Sequence, residues 1–72
     1  MKKDEDLIVI GEAVRLERLR RHLSQEQLSE LASIPNAQHL GRIEKGNIDM
    51  RVSTLLKILR ALNLKLEDLI EL

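Results

Sequence analysis

The chain has 72 residues, enough for one small domain and too few for two. Apolar residues make up 43% of it, none aromatic, and cysteine is absent, which excludes a disulfide framework, a cysteine-based zinc site and a thiol nucleophile. Twelve basic side chains balance twelve acidic ones, so the strong positive charge that by itself points to nucleic acid is missing.

A domain of this size buries only about 60% of its unfolded surface and gains from a partner subunit. Residues 1–7 begin with Lys2, Lys3, Asp4, Glu5 and Asp6 and are expected to form a flexible end, with the folded domain over 8–72. The longest apolar run, Leu7-Ile8-Val9-Ile10, is far short of the roughly 18 residues of a membrane span. It also follows acids, unlike a signal peptide. The expectation is a soluble, cytoplasmic chain with no membrane contact.

The spacing predicts a first helix over Ile8–His22. Val9, Ala13, Leu16 and Leu23 fall on one arc and Ile10 and Val14 lie to one side, with Glu17 between the two groups. Arg15, Arg18, Arg20 and Arg21 concentrate positive charge here, a solvated face or a source of phosphate contacts. A second helix starts at a capping box, Ser24-Gln25-Glu26-Gln27, with Leu23 and Leu28 as the hydrophobic staple around it. Leu28, Leu31 and Ala32 form its buried face, and it stops near Ser33 because Pro35 biases Ile34 away from helix.

Asn36 is a good N-cap for a third helix, in which Leu40 and Ile43 face inward and Gly46 stands just past the end. Ala37, Gln38, His39, Gly41, Arg42 and Lys45 then face outward. Gly41 costs a helix about 1 kcal/mol relative to Ala, which suggests a close approach to the second helix or to a ligand backbone. A fourth helix is expected over Arg51–Leu62, with Val52, Leu55, Leu56, Leu59 and Leu62 as its buried stripe and Asn63 in the left-handed position after it. Leu66, Leu69 and Ile70 fit a last helical turn or two, although Leu64-Lys65-Leu66 also alternates like a short strand. The fold class is all-α, a compact bundle of about five short helices.

Two short helices joined by a tight turn, the second polar on its outer side, have helix-turn-helix geometry. Three blocks make the pattern specific: Leu23-Ser24-Gln25-Glu26-Gln27-Leu28; Gly41-Arg42-Ile43-Glu44-Lys45-Gly46; and Val52-Ser53-Thr54-Leu55-Leu56-Lys57-Ile58 with Ala61-Leu62-Asn63-Leu64. In this order and spacing they resemble the Cro/repressor helix-turn-helix family, with its lambda-repressor-like fold, over about residues 8–70. The resemblance implies a sequence-specific regulator of double-stranded DNA, acting as a homodimer on a palindromic operator. The helix beginning at Asn36 would enter the major groove, with Ala37, Gln38 and Arg42 at the family's base-reading positions. Gln can bridge adenine N6 and N7, Arg can bridge guanine O6 and N7, and Ala can touch a thymine methyl. Gln25 matches a phosphate-contacting position, and Lys45, Asn47 and Arg51 are further backbone candidates.

Arg18 and Glu44 match a pair that in the family ties the first helix to the recognition helix; the alternative is two independent surface charges. The turn is about one residue longer than the family norm. If Ser33-Ile34-Pro35 absorbs the extra residue, the reading register is kept; if Asn36–Leu40 does, His39 becomes a reader. Glu17 stands where the family is usually apolar, which implies a rotated helix or a partner there. Asp49 in the loop after Gly46 would face phosphate unfavourably, so modest non-specific affinity is expected.

His22 and His39 have no companions at metal-ligand spacing and are expected on the surface, with His39 an additional candidate DNA contact. Leu66, Leu69, Ile70 and Leu72 serve core closure or a dimer seam, and the two-fold symmetry of operators favours the seam. An antitoxin-like or other protein-interaction module on the same fold, with a toxin as partner, is the alternative function. The chain shows no nucleophile with a base, no glycine-rich phosphate loop and no ligand cluster, so no enzyme, cofactor or metal is expected.

Overall fold

A computed structural model describes residues 4–71. It is all-α: α1 (Glu5–Arg20), α2 (Gln25–Leu31), α3 (Ala37–Glu44), α4 (Val52–Leu62) and a single 3-10 turn at Leu66–Asp68. The fifth helix of the sequence reading is therefore only that turn, and Leu64-Lys65-Leu66 is not a strand.

α1 begins three residues before its expected start. Asp4 is its N-cap, accepting hydrogen bonds from the backbone amides of Asp6 (2.8 Å) and Leu7 (3.3 Å), and Glu5 and Asp6 complement the positive end of the helix dipole. Residues 5–7 thus belong to α1, while Lys2 and Lys3 lie outside the described residues. The capping box of α2 forms as expected: Ser24 Oγ accepts from Gln27 N (3.0 Å) and Gln27 Oε1 accepts from Ser24 N (2.8 Å).

All four helices end alike. One or two residues past each end the backbone is left-handed: at His22 (φ 56°), Ser33 (φ 55°), Gly46 (φ 72°) and Asn63 (φ 56°). The following amide then reaches back into the helix: Leu23 N to Arg18 O (3.2 Å), Ile34 N to Ser29 O (2.8 Å), Asn47 N to Arg42 O (3.0 Å) and Leu64 N to Leu59 O (2.8 Å). Leu23, Ile34 and Leu64 are apolar and pack on the core, the contact that accompanies this motif. His22 and Ser33 thus stand past α1 and α2, in a backbone conformation that costs an ordinary residue about 1–2 kcal/mol. His22→Gly and Ser33→Gly are each expected to stabilise the domain by about 0.5–1 kcal/mol, seen as a higher urea midpoint at unchanged slope. A lower midpoint for both would show that the side chains do more than the backbone strain suggests.

The four α-helices meet at one core. Val14 of α1, Leu28 of α2, Leu40 and Ile43 of α3, and Ile58 and Leu62 of α4 are all fully buried. Burying side chains of this kind is worth about 1.5–3 kcal/mol each. Three expected core positions of α2 and α4 differ. Val52 is 73% exposed because it opens α4, ahead of the turns that reach the core. Leu31, the last residue of α2, is 60% exposed. Leu56 is exposed on the solvent side of α4, whereas Leu59 and Leu62 are buried. Of the apolar arc of the first helix, Val9 and Leu16 are exposed; the buried side of α1 is Gly11, Val14 and Arg18. Leu69 is core, so the C-terminal segment does close the fold, which removes that leucine from a dimer seam. Leu66 is exposed and Ile70 half-buried, and Leu72 lies outside the described residues.

Candidate nucleic-acid interface

α3 is placed by its two ends and two anchors. Asn36 Oδ1 accepts from His39 N (2.8 Å) and fixes the start, so Ala37 is the first helical residue. The link Ser33–Pro35, with its left-handed Ser33, precedes a regular helix that starts at Ala37. Leu40 and Ile43 are buried. Gln38 and Arg42, one turn apart, are exposed, as is Lys45 at the end of the helix. Ala37, His39 and Gly41 are half-buried rather than fully outward. His39 lines a cleft with Asp49, Arg51 and Lys57 at the start of α4, whereas Ala37 and Gln38 line a groove with Glu30 of α2. Ala37 and Gln38 therefore open on a different side of α3 from His39.

Gln25, the first residue of α2, lines a third groove with Gly41, Lys45 and Arg15. Its amide is not loose. Gln25 Nε2 donates to Glu44 Oε1 (3.0 Å), which leaves the second hydrogen on that nitrogen for a ligand. Glu44 is the hub. Arg18 Nε donates to its Oε2 (2.7 Å) and Arg18 Nη2 to its Oε1 (3.0 Å), a bidentate pair, while Arg18 Nη1 donates to Leu23 O (2.8 Å). Arg18 and Glu44 are both buried, so they are a tie between α1 and α3 and not two surface charges. The hydrogen bond from Gln25 to Glu44 joins α2 to the same tie. No sequence signal revealed it, because it spans 19 positions and depends on the fold.

Gly41 does not serve a close approach to α2. A Cβ there would meet only the side chain of Gln25, at 3.5–3.8 Å, which is ordinary contact. The crowded glycine within a helix is Gly11, whose missing Cβ would press on the Ile43 and Glu44 carbonyls.

The arginine run is spent within the chain. Arg15 pairs with Glu12 (3.2 Å), and Arg20 and Arg21 pair with Glu17 (3.0 and 2.8 Å). Arg21 Nη2 also donates to Leu62 O (2.8 Å) at the end of α4. Glu17 is polar here because it holds Arg21 against α4, which is why an apolar residue is absent. Asn47 and Arg51 are exposed in the loop after α3 and at the start of α4, where Arg51 makes no side-chain cap. Among the described residues no cluster of His, Asp or Glu could hold a metal ion. No helix among them is long and apolar enough to cross a membrane.

The family model described as Helix-turn-helix matches residues 14–69. The chain belongs to the helix-turn-helix family. It is at this level a DNA-binding transcriptional regulator. Its fold is similar to that of the restriction-modification controller protein C.AhdI from Aeromonas hydrophila, at 28% identity and a TM-score of 0.86, over 93% of this chain and 100% of that one. It is also similar to the clp gene regulator ClgR from Corynebacterium glutamicum, at 19% identity and a TM-score of 0.85, over 94% of this chain and 86% of that one in one structure. A second structure of that regulator gives the same identity and score, with 71% of its chain covered. At that identity the likeness to the clp regulator concerns the fold alone. No curated protein matches the chain.

Proposed function

We propose that this helix-turn-helix chain reads a specific sequence in double-stranded DNA with α3, as a cytoplasmic homodimer on a palindromic operator. The observation that carries the reading is the pair Gln38 and Arg42, exposed one turn apart on a helix anchored by buried Leu40 and Ile43. Gln38 would bridge an adenine and Arg42 a guanine, with Ala37 against a thymine methyl. Gln25, held by Glu44, would give its free N–H to a phosphate. Lys45, Asn47 and Arg51 would take further phosphates, and His39 is an additional contact candidate from the cleft beside Arg51. Gly41, open toward the groove that holds Gln25, leaves room for the DNA backbone to approach. The homodimer would form through the C-terminal segment, with Leu66 and Ile70 as its exposed and half-exposed apolar contacts.

Selection from a random-site library, followed by fluorescence anisotropy at two salt concentrations, tests this reading. Arg42→Ala is expected to cost about 1–3 kcal/mol on the selected site and to relax preference at one base pair, with little change on random DNA. Lys45→Ala is expected to weaken selected and random DNA alike and to lower the salt slope by about 1. A library that yields no preferred sequence, or binding that ignores salt, would overturn the reading. Zero net charge and Asp49 predict that random-DNA affinity is low.

A further inference from the structure

α3 and α4 each gather their apolar side chains on one side, but α1 spreads them almost evenly around its axis. Seven of its 16 residues are charged, and apolar side chains stand among them on its outer side too, where a cluster of exposed apolar groups marks an interaction surface. The inner side of α1 is covered: Gly11, Val14 and Arg18 are buried. The outer side is not. Ile8, Val9, Leu16 and Leu19 are each 40–51% exposed. At about 3.6 residues per turn, Val9 and Leu16 project the same way two turns apart, with Ile8 and Leu19 to one side of them.

We propose that this outer face docks against the same face of a second copy of the chain, with the two α1 helices antiparallel. Charge fixes the orientation. The first turn carries Glu5 and Asp6, both exposed, and the last carries exposed Arg20, while Arg18 of that turn faces inward on Glu44. Parallel pairing would set acid on acid and base on base; antiparallel pairing sets acid on base at both ends. The register follows from the same geometry. Val9 against the second copy's Leu16 also puts Glu5 against the second copy's Arg20, because both pairs straddle the same midpoint of the helix. Ile8 then lies beside the second copy's Leu19. Glu12, which stands among these apolar residues, lies beside the second copy's Arg15, the residue type it already pairs with in its own chain. Arg20, although paired with Glu17, keeps 70% of its side chain exposed and within reach.

Two 16-residue helices side by side meet over about 24 Å, less than a standard interface of roughly 1,200 Å² or more requires, so the association is weak and depends on concentration. Gln38 of α3 lies in a different groove, with α2, while Ile8, Glu12 and Arg15 at the edge of this surface border the groove that holds Gln25 and Lys45. The α1 contact is separate from the C-terminal segment, so it would link chains beyond any dimer formed there.

The chain lacks cysteine, so introduced thiols report contact without background. Val9→Cys and Leu16→Cys variants, mixed without DNA under mild oxidation at high micromolar concentration, are expected to give the mixed disulfide in several-fold excess over either self-linked product. A disulfide needs Cα atoms within about 7 Å, and in the antiparallel register two copies of position 9 are about 10 Å apart along the axis. Self-linked product in excess, or no cross-link, overturns the proposal. Leu16→Glu, at an exposed position, is expected to keep the helix content by circular dichroism and to sediment as a smaller species than the parent chain at equal concentration; unchanged sedimentation overturns it. Leu66→Glu is expected to leave the mixed cross-link at its parental yield, and its loss there would assign the contact to the C-terminal segment instead. No arm of this test uses DNA, so its failure would leave the DNA-reading proposal standing.

Discussion

Glu44→Ala is expected to cost about 3–5 kcal/mol of folding stability. A domain of 72 residues has roughly 4–11 kcal/mol to lose, so the variant should be largely unfolded well below the parent's melting temperature. The size of the effect comes from what stays behind. Glu44 is 5% exposed and Arg18 is 8% exposed. Removing the carboxylate leaves a buried guanidinium with one remaining acceptor, Leu23 O, and leaves the amide of Gln25 without its partner. An exposed ion pair of the same chemistry would be worth only about 0–1 kcal/mol.

The double substitution Arg18→Met/Glu44→Leu removes both charges together and is expected to return most of the loss, because replacing a buried pair by apolar side chains of similar volume is often neutral or better. Urea denaturation of the parent, two single variants and the double variant forms a cycle, in which a coupling of about 2–3 kcal/mol is expected. Single losses under about 1 kcal/mol with no coupling would show that the bridge is only a surface pair. The double variant also separates fold from interface. It folds without the carboxylate that orients Gln25, so its affinity for a selected DNA site should remain below that of the parent chain, on the proposed phosphate role of Gln25.

Much of this architecture was legible because it is local. The Ser24–Gln27 capping box, the Asn36 cap and the inward pair Leu40 and Ile43 each depend on residues within one or two turns, and all stand where the spacing put them. Helix ends were legible where a Pro followed, as Pro35 does after α2, or where the residue past the end prefers the left-handed region, as Gly46 and Asn63 do. His22 and Ser33 carry no such preference; the packing of Leu23 and Ile34 on the core imposes the conformation from outside. The stripe rule failed at Val52, Leu31 and Leu56 because it counts periodicity but not where along its length a helix meets its neighbours. The exposed pair Gln38 and Arg42 was legible as the far side of that anchor. Its support was not: the grip of Glu44 on Arg18 and Gln25 is a long-range consequence of how α1, α2 and α3 meet, whereas Arg15, Arg20 and Arg21 pair with acids only three or four residues away.

Gly11→Ala is expected to destabilise the domain by about 1–3 kcal/mol, although the same change in an exposed helix interior normally gains about 1 kcal/mol. The added Cβ would lie 2.7 Å from the Glu44 carbonyl oxygen and nearer still to that of Ile43. Both are backbone atoms of α3, so relief requires α1 to move off α3 as a body. That movement would stretch the Arg18–Glu44 bridge, which spans the same contact. Gly41→Ala is the control, since its Cβ meets only a flexible side chain at ordinary distance. It should stabilise by up to about 1 kcal/mol, so one chemical change at two helical glycines moves the urea midpoint in opposite directions. Equal shifts of the same sign would mean that α1 does not rest directly on the last turn of α3. In that case the crossing that carries Arg18 to Glu44, and so the support for Gln25, would have to be drawn differently.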